Sequence, residues 1–230
     1  MKIPKKIWLF WDNPNNIPWI VKFNIYKIKK NNSDFDLIII NKKNYKEYVD
    51  LSMFNLTEKM FNTPQYFSDL LRIFLLSKYG GVWVDSTLII WKNLKNLIGN
   101  EDELIFFQNK HNSRRGTLAL ESWFIAAVPN HVFINKIKQI LIGLNTYDKI
   151  IIFLYFKLEK DKVIKQYNTA NKYHLIYHIF NYACQTFPNY IDKIKLHDSD
   201  NAYVGHAKFL PNKFYFLNFN IIIFVIGAFI

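Results

Sequence analysis

The residues with the greatest chemical potential lie in one stretch, Tyr66 to Thr87, which reads Tyr-Phe-Ser-Asp-Leu-Leu-Arg-Ile-Phe-Leu-Leu-Ser-Lys-Tyr-Gly-Gly-Val-Trp-Val-Asp-Ser-Thr. Asp69 and Arg72 stand three apart, so a helix would put them on one face, with Leu70, Leu71, Phe74 and Leu75 forming an apolar stripe. Val82, Trp83 and Val84 form an apolar run too short for a helix and suited to a central strand that delivers Asp85 to a sheet's carboxyl edge. Two acids and a guanidinium would therefore converge. Taken alone, Asp69 and Arg72 make an intrahelical ion pair worth about 0.3 to 0.5 kcal/mol. Set beside an acid at a strand end, they read instead as a binding site.

Well-marked boundaries hold this arrangement in place. Thr63 can cap the helix, Pro64 suits its first turn, and Gly80 can take the left-handed conformation that ends it. Gly81 completes a tight turn that lets the strand enter beneath the helix.

At these residues the chain resembles a family. Ser68-Asp69-Leu70-Leu71-Arg72 followed by Tyr79-Gly80-Gly81-Val82-Trp83-Val84-Asp85-Ser86-Thr87 resembles the S-D-x-x-R helix and G-G-x-x-x-D-x-D strand of the capsular polysaccharide synthesis proteins. More distant likenesses are the Golgi mannosyltransferases and the large glucosylating toxins. Ile3-Pro4-Lys5-Lys6-Ile7-Trp8-Leu9-Phe10-Trp11 is similar to the first strand of that group, I-P-K-x-I-x-x-x-W. The resemblance implies a type A nucleotide-diphospho-sugar transferase fold and transfer of a hexose from a nucleotide diphosphate sugar to a surface polysaccharide or lipid-linked acceptor. It implies that Trp11 lies near the nucleotide base, that Asp69 and Arg72 contact donor sugar or phosphate, and that Asp85 holds Mn²⁺ or Mg²⁺ against the diphosphate leaving group. Thr87 stands where many relatives carry a second carboxylate, a neutral hydroxyl being the poorer ligand for a hard cation. Weak metal affinity, or a metal completed by the diphosphate, is the expected consequence. The alternative is a catalytically impaired, transferase-like binding protein.

The rest of the chain supplies the frame. With 230 residues, half of them hydrophobic, it is long enough for one sizeable α/β domain. Strand-like Lys6 to Trp11, helix-like Ile17 to Lys30, strand-like Leu37 to Ile40 and a short helix over Asn44 to Val49 alternate as βαβ units do. A mostly parallel central sheet with flanking helices is expected, with a helical C-terminal part running from Tyr147 to Phe187. Further strands are expected over Leu88 to Trp91, Leu104 to Gln108 and Ser122 to Ala127, and a helix capped by Asn130 through Ile142. We expect a single domain over residues 1–213 and an apolar tail over 214–230. For that tail a membrane-associating end, a buried strand and the product of a disrupted reading frame are competing readings.

The formal charge of +12 favours anionic partners such as nucleotide phosphates, acidic glycans or an anionic membrane face. No G-x-G-x-x-G or G-x-x-x-x-G-K-[ST] occurs, which argues against dinucleotide and phosphate-loop folds, and no nucleic-acid-binding motif is present. The single Cys184 excludes an internal disulfide framework and reads as a buried apolar residue. The chain enters its first strand without a secretory leader, so a cytoplasmic location is expected, with peripheral contact at the inner face of the cell membrane as a refinement. Weaker candidates are Glu121 as an acceptor-activating acid and the basic loop around His111, Arg114 and Arg115. The His174/His178 pair at metal-compatible spacing is better explained by aromatic helix packing, and His206 in Gly-His-Ala-Lys completes the set.

Overall fold

A computed structural model describes residues 2–54, 63–110, 118–146, 149, 175–199 and 225–226. The basic loop, residues 150–174, His206 and most of the tail lie outside the described residues. The elements in chain order are β1 (Lys6–Phe10), α1 (Trp19–Asn31), β2 (Asp36–Ile40), α2 (Pro64–Tyr79), β3 (Gly81–Val84), β4 (Ile89–Ile90), β5 (Leu104–Gln108), β6 (Leu120–Ala127), α3 (Val132–Gly143), α4 (Leu175–Thr186), β7 (Lys195–Asp198) and β8 (Val225–Ile226).

The main sheet has the order β2-β1-β3-β6-β5-β7. β1 pairs parallel with β2 and β3, and β5 pairs parallel with β7, while β6 runs antiparallel to both β3 and β5. The expected α/β fold, mostly parallel with flanking helices, is present, and β6 is the one reversed strand of this sheet. The reversal puts the start of β6 beside the carboxyl end of β3, where α/β folds collect ligands.

Both faces of the central strands are covered, which explains why they are continuous apolar runs rather than alternating ones. Trp8, Trp83, Phe106 and Ile125 point to one side, into a core shared with α2, α3 and α4. Ile7, Leu9, Val82, Val84, Ile105 and Phe124 point to the other, toward Ile28 of α1. The α2–β3 junction is as tight as its glycine pair suggests. Gly80 and Gly81 have φ of 63° and 95°, and a Cβ on Gly80 would lie 2.6 Å from the Pro129 nitrogen, one on Gly81 2.7 Å from the Lys6 carbonyl oxygen. The Gly80 carbonyl also accepts a buried hydrogen bond from the Trp8 indole at 2.8 Å, locking helix end to first strand.

Several boundaries differ from expectation. Asn130 does not cap α3; it takes a left-handed φ of 58°, which asparagine tolerates, and gives its N–H to the Ser77 carbonyl. His131 caps instead, its Nδ1 accepting from the Phe133 N–H at 3.2 Å. Thr63 stands at the cap position of α2 without a side-chain capping bond. The helix expected after β2 is a single 3₁₀ turn, Tyr45–Glu47. The Leu88 to Trp91 strand shortens to Ile89–Ile90, which pairs with β8, the described part of the tail. Sequence periodicity also missed β7, because Lys-Leu-His-Asp is too short and polar to signal a strand.

Candidate functional site

α2 lies over the core side of β3 with Asp69 and Arg72 facing inward. Asp69 is 9% exposed and Arg72 3%. Arg72 Nη1 donates to Asp69 Oδ1 at 2.7 Å, while Nη2 donates to Asp85 Oδ1 at 2.9 Å and to Ser68 Oγ at 3.2 Å. One guanidinium thus clamps both acids, a geometry for which its planar fork is suited and a lysine ammonium is not. Trp83 adds two contacts that spacing alone did not reveal. Its indole N–H donates to Asp85 Oδ1 at 2.8 Å, and its ring lies 5.2 Å from the guanidinium carbon. Of the trio only Asp85 reaches solvent substantially, its side chain being 35% exposed. The acid at the strand tip is therefore the part a ligand would meet, and the buried pair behind it sets its position.

The backbone holds that tip from two sides. The Asp85 N–H donates to the Trp123 carbonyl of β6 at 2.9 Å, and its own carbonyl accepts from the Leu88 N–H, closing a turn with Ser86 and Thr87 at its corner. Thr87 is thus close to Asp85 along the chain but outside the hydrogen-bonded trio. Trp11 follows β1, whose register with β3 sets it one strand over from the Asp85 turn. It packs half-buried against Ile20, Val21 and Ile89, on the α1 side of the sheet, and its indole N–H donates to the Asn16 carbonyl at 2.9 Å. The structure brings Asp69, Arg72 and Asp85 into contact and leaves Trp11 and Thr87 at the margin.

Burial dominates the electrostatics. It pushes the Asp69 carboxyl up to about 7, with Arg72 pulling against it and Asp85 adding to the rise. The same cause raises the Tyr66 phenol to about 12, reinforced by Asp69. The Tyr66 hydroxyl and Arg72 Nε are buried without a hydrogen-bond partner among the described residues. Behind Asp69 lies a small, mostly apolar cavity of about 20 Å³ lined in part by Phe54, Tyr66, Leu141 and Ile179. Cys184 is buried and its thiol is pushed up to about 12, in keeping with an inert core residue.

On the same core side of the sheet as α2, β6 and α4 bring together a second group of residues distant in sequence. Ser122 Oγ donates to the Tyr177 hydroxyl at 3.3 Å, and that hydroxyl donates to Glu121 Oε2 at 3.3 Å. Burial pushes the Tyr177 phenol well above its ordinary range, with Glu121 adding to the rise, so it stays a neutral donor. Asp85 and Arg72 also act on Tyr177, which places it within electrostatic reach of the trio. Glu121 thus lies at the same sheet edge as Asp85. Tyr177 was missed because nothing local ties it to Glu121, 56 residues away. His178 is buried on α4, while its i, i−4 partner His174 lies outside the described residues.

A cation at this edge would find few protein ligands. Both described donors to Asp85 converge on Oδ1, Asp69 is spent on Arg72, and no group of three His, Cys, Asp or Glu side chains able to hold a metal occurs among the described residues. Such a donor set fits a cation whose shell is completed mostly by ligand and water oxygens.

A family model described as "Capsular polysaccharide synthesis protein" matches residues 1–209. Among curated proteins, "O-glycosyltransferase braB" of Annulohypoxylon truncatum is 28% identical over 111 residues, covering 43% of this chain and 26% of that protein. The chain therefore spans about a quarter of the length of this relative. Among solved structures, the ligand-free glycosyltransferase domain from the YGT toxin aligns over 85% of this chain and 80% of its own with a TM-score of 0.51 and 9% identity. PaToxG glycosyltransferase covers 89% of this chain and 76% of its own at 18% identity, with a TM-score of 0.46. The glycosyltransferase involved in glycosylation of the major capsid of PBCV-1 covers 88% of this chain and 89% of its own at 14% identity, also at 0.46. The YGT domain shows a shared fold, and its low identity carries nothing beyond that.

Proposed function

Because the chain belongs to the capsular polysaccharide synthesis protein family, matched over residues 1–209, we propose that it transfers a hexose from a nucleotide diphosphate sugar to a surface glycan or lipid-linked acceptor. The observation that carries this reading is the Arg72 clamp, which fixes Asp85 at the open end of β3 through a 2.9 Å bond while leaving its side chain 35% exposed. A carboxylate so held is pre-oriented, and a group that need not reorganise as charge develops contributes most to transition-state stabilisation.

The charge balance bears on the cofactor. Two carboxylates and one guanidinium sum to zero when Asp69 is protonated and to minus one when it is not, so the trio alone cannot neutralise a diphosphate. We infer that Mn²⁺ or Mg²⁺ supplies the missing charge, with Asp85 as its protein carboxylate and Thr87 as a neutral neighbour. When bound, such a cation stabilises the departing diphosphate as a Lewis acid. In this reading Asp69 and Arg72 orient the donor sugar and phosphates, Trp11 offers its indole face for stacking on the base, and Glu121, held by Tyr177, draws a proton from the acceptor hydroxyl.

Asp85→Asn tests the central claim. Asparagine keeps the Oδ1 acceptor for Arg72 and Trp83, so the fold should survive, with the thermal midpoint lowered modestly as the bond to Arg72 loses its charge assistance. Donor hydrolysis over a panel of nucleotide sugars with Mn²⁺ should fall on the order of a hundredfold or more. Turnover equal to wild type would refute the role. A second reading, donor binding without transfer, draws support from Thr87 standing in for a carboxylate. Titration calorimetry showing tight, metal-dependent donor binding together with absent hydrolysis and transfer would favour it.

A further inference from the structure

α1 presents an outward face unlike the rest of the described surface. Trp19 and Tyr26 are each 56% exposed, and Trp91, on the segment after β4, is 37% exposed. The half-buried Phe23 joins them, its ring 5.9 Å from that of Trp91. Trp19, Phe23 and Tyr26 follow the i, i+4, i+7 spacing of one helical stripe. Lysines are interleaved with them. Lys27 Nζ sits 4.1 Å from the Trp91 ring centroid and Lys30 Nζ 5.9 Å from that of Tyr26, while Lys22 and Lys29 are exposed beside them. From residue 13 to residue 33 the chain has four lysines and no acid. The next acid, Asp34, is already engaged by Lys5 and Lys95 at 3.2 and 2.8 Å.

A helix that buries one face in the protein normally turns a polar face outward. Here large aromatic rings are left in water, with Lys27 beside Trp91 and Lys30 beside Tyr26. Trp and Tyr favour the boundary between water and hydrocarbon, where an apolar ring and a polar handle are both satisfied, and lysines around them match anionic headgroups. The face is rigidly mounted. Asn24 Nδ2 donates to the Ser86 carbonyl at 3.0 Å, and Asn31 Nδ2 donates to the Ile90 carbonyl at 3.1 Å, so α1 is fastened to the segment that leaves Asp85. No described helix is long and apolar enough to cross a membrane, so any attachment through the described helices would be peripheral.

We propose that the outer face of α1, with Trp91, is a docking surface for an anionic lipid bilayer: the rings of Trp19 and Tyr26 enter the headgroup boundary while Lys22, Lys27, Lys29 and Lys30 meet lipid phosphates. Charge complementarity commits the face to a negative surface, and the protruding rings commit it to one with an apolar layer beneath the charge. The inference stands independently of the transferase reading, since it needs no nucleotide sugar.

Vesicle co-sedimentation of the full chain tests it. Binding is expected to phosphatidylcholine vesicles doped with phosphatidylglycerol and not to phosphatidylcholine alone. Replacing Lys22, Lys27, Lys29 and Lys30 by Gln removes four charges from the face and should weaken partition on the order of several hundredfold to a thousandfold. Trp19→Ser with Tyr26→Ser should also weaken it, and circular dichroism and donor hydrolysis in solution should be unchanged in both variants. A control changes Lys2, Lys43, Lys46 and Lys193 to Gln, removing the same charge elsewhere, and should retain most of the binding. The proposal is overturned if doped vesicles do not bind the protein, if the control weakens binding as much as the α1 set, or if the serine variant binds as wild type does. Loss of donor hydrolysis with vesicle binding intact would count against the transferase reading alone.

Discussion

The two flanks of Asp85 solve the same problem with opposite means. On the α2 side a carboxylate is gripped by a cation: Asp69 and Arg72 meet at 2.7 Å, both almost fully buried, and the guanidinium reaches on to Asp85 at 2.9 Å. On the β6–α4 side a carboxylate meets one neutral hydroxyl: Tyr177 donates to Glu121 at 3.3 Å and accepts from Ser122 at 3.3 Å. A guanidinium between carboxylates makes short ion-pair hydrogen bonds of 2.7 and 2.9 Å with a fixed planar geometry, whereas the 3.3 Å hydroxyl contacts are long and turn about a single O–H. The comparison teaches that the first flank is built to hold one geometry, as the proposed donor role asks of it, while the second is free to adjust, as the proposed acceptor role would allow. Each substitution below either removes that contrast or makes it steeper.

Arg72→Ala should have the largest effect. It strands Asp69 in the core and frees Asp85, and removing one partner of a buried ion pair commonly costs 3 to 5 kcal/mol. Partial exposure of Asp85 and the ability of Asp69 to protonate place the expected loss near the lower end, about 3 kcal/mol by urea unfolding. Arg72→Lys should recover only part of it, because a single ammonium cannot reach Asp69, Asp85 and Ser68 with the geometry of a fork. If alanine at 72 cost no more than a phenylalanine at 177, the two flanks would not differ in kind.

The rigid flank was also the legible one, and for a physical reason. Everything in it is local: Asp69 and Arg72 are three residues apart, Asp85 is thirteen from Arg72, and Pro64 and Gly80 mark the helix that carries them. The adjustable flank is assembled across 56 residues by packing α4 against β6, so the sequence offered Glu121 only as a weak candidate and nothing in it tied Tyr177 to that acid. The slip at α3 has the same origin in miniature. Asparagine is both a good cap and a residue tolerant of positive φ, and only the backbone bond from Asn130 to Ser77 decides between them. Trp83 hid in plain sight because an apolar strand residue gives no sign that its indole N–H points at a carboxylate.

A slope rather than a step should follow from Asp69. Its carboxyl rises from an ordinary value of 3.8 to about 7 in the folded state, chiefly through burial. The native protein therefore keeps a proton there that the unfolded chain has already released. Where the native state binds more protons, stability falls as pH increases. Unfolding free energy should accordingly decline between pH of about 4 and 7, the window set by the two values, and level off above it. Asp69→Asn, which keeps an acceptor for Arg72 without an ionisable group, should flatten that decline. A variant retaining the full slope would show that the titrating group lies elsewhere and that the α2 flank is ionised throughout.

The smallest effect is expected from Tyr177→Phe. The change removes one hydroxyl and two 3.3 Å contacts while preserving the ring's packing, so the stability cost should stay within about 1 kcal/mol. Donor affinity by calorimetry should be unchanged, because the phenol is not among the groups assigned to the diphosphate, whereas Glu121 loses the donor that orients it and hydrolysis should slow. Glu121→Gln should slow it further at equal donor affinity. Weakened donor binding in the Phe variant would merge the two flanks into one donor site, and the division between a fixed and an adjustable side of Asp85 would have to be abandoned.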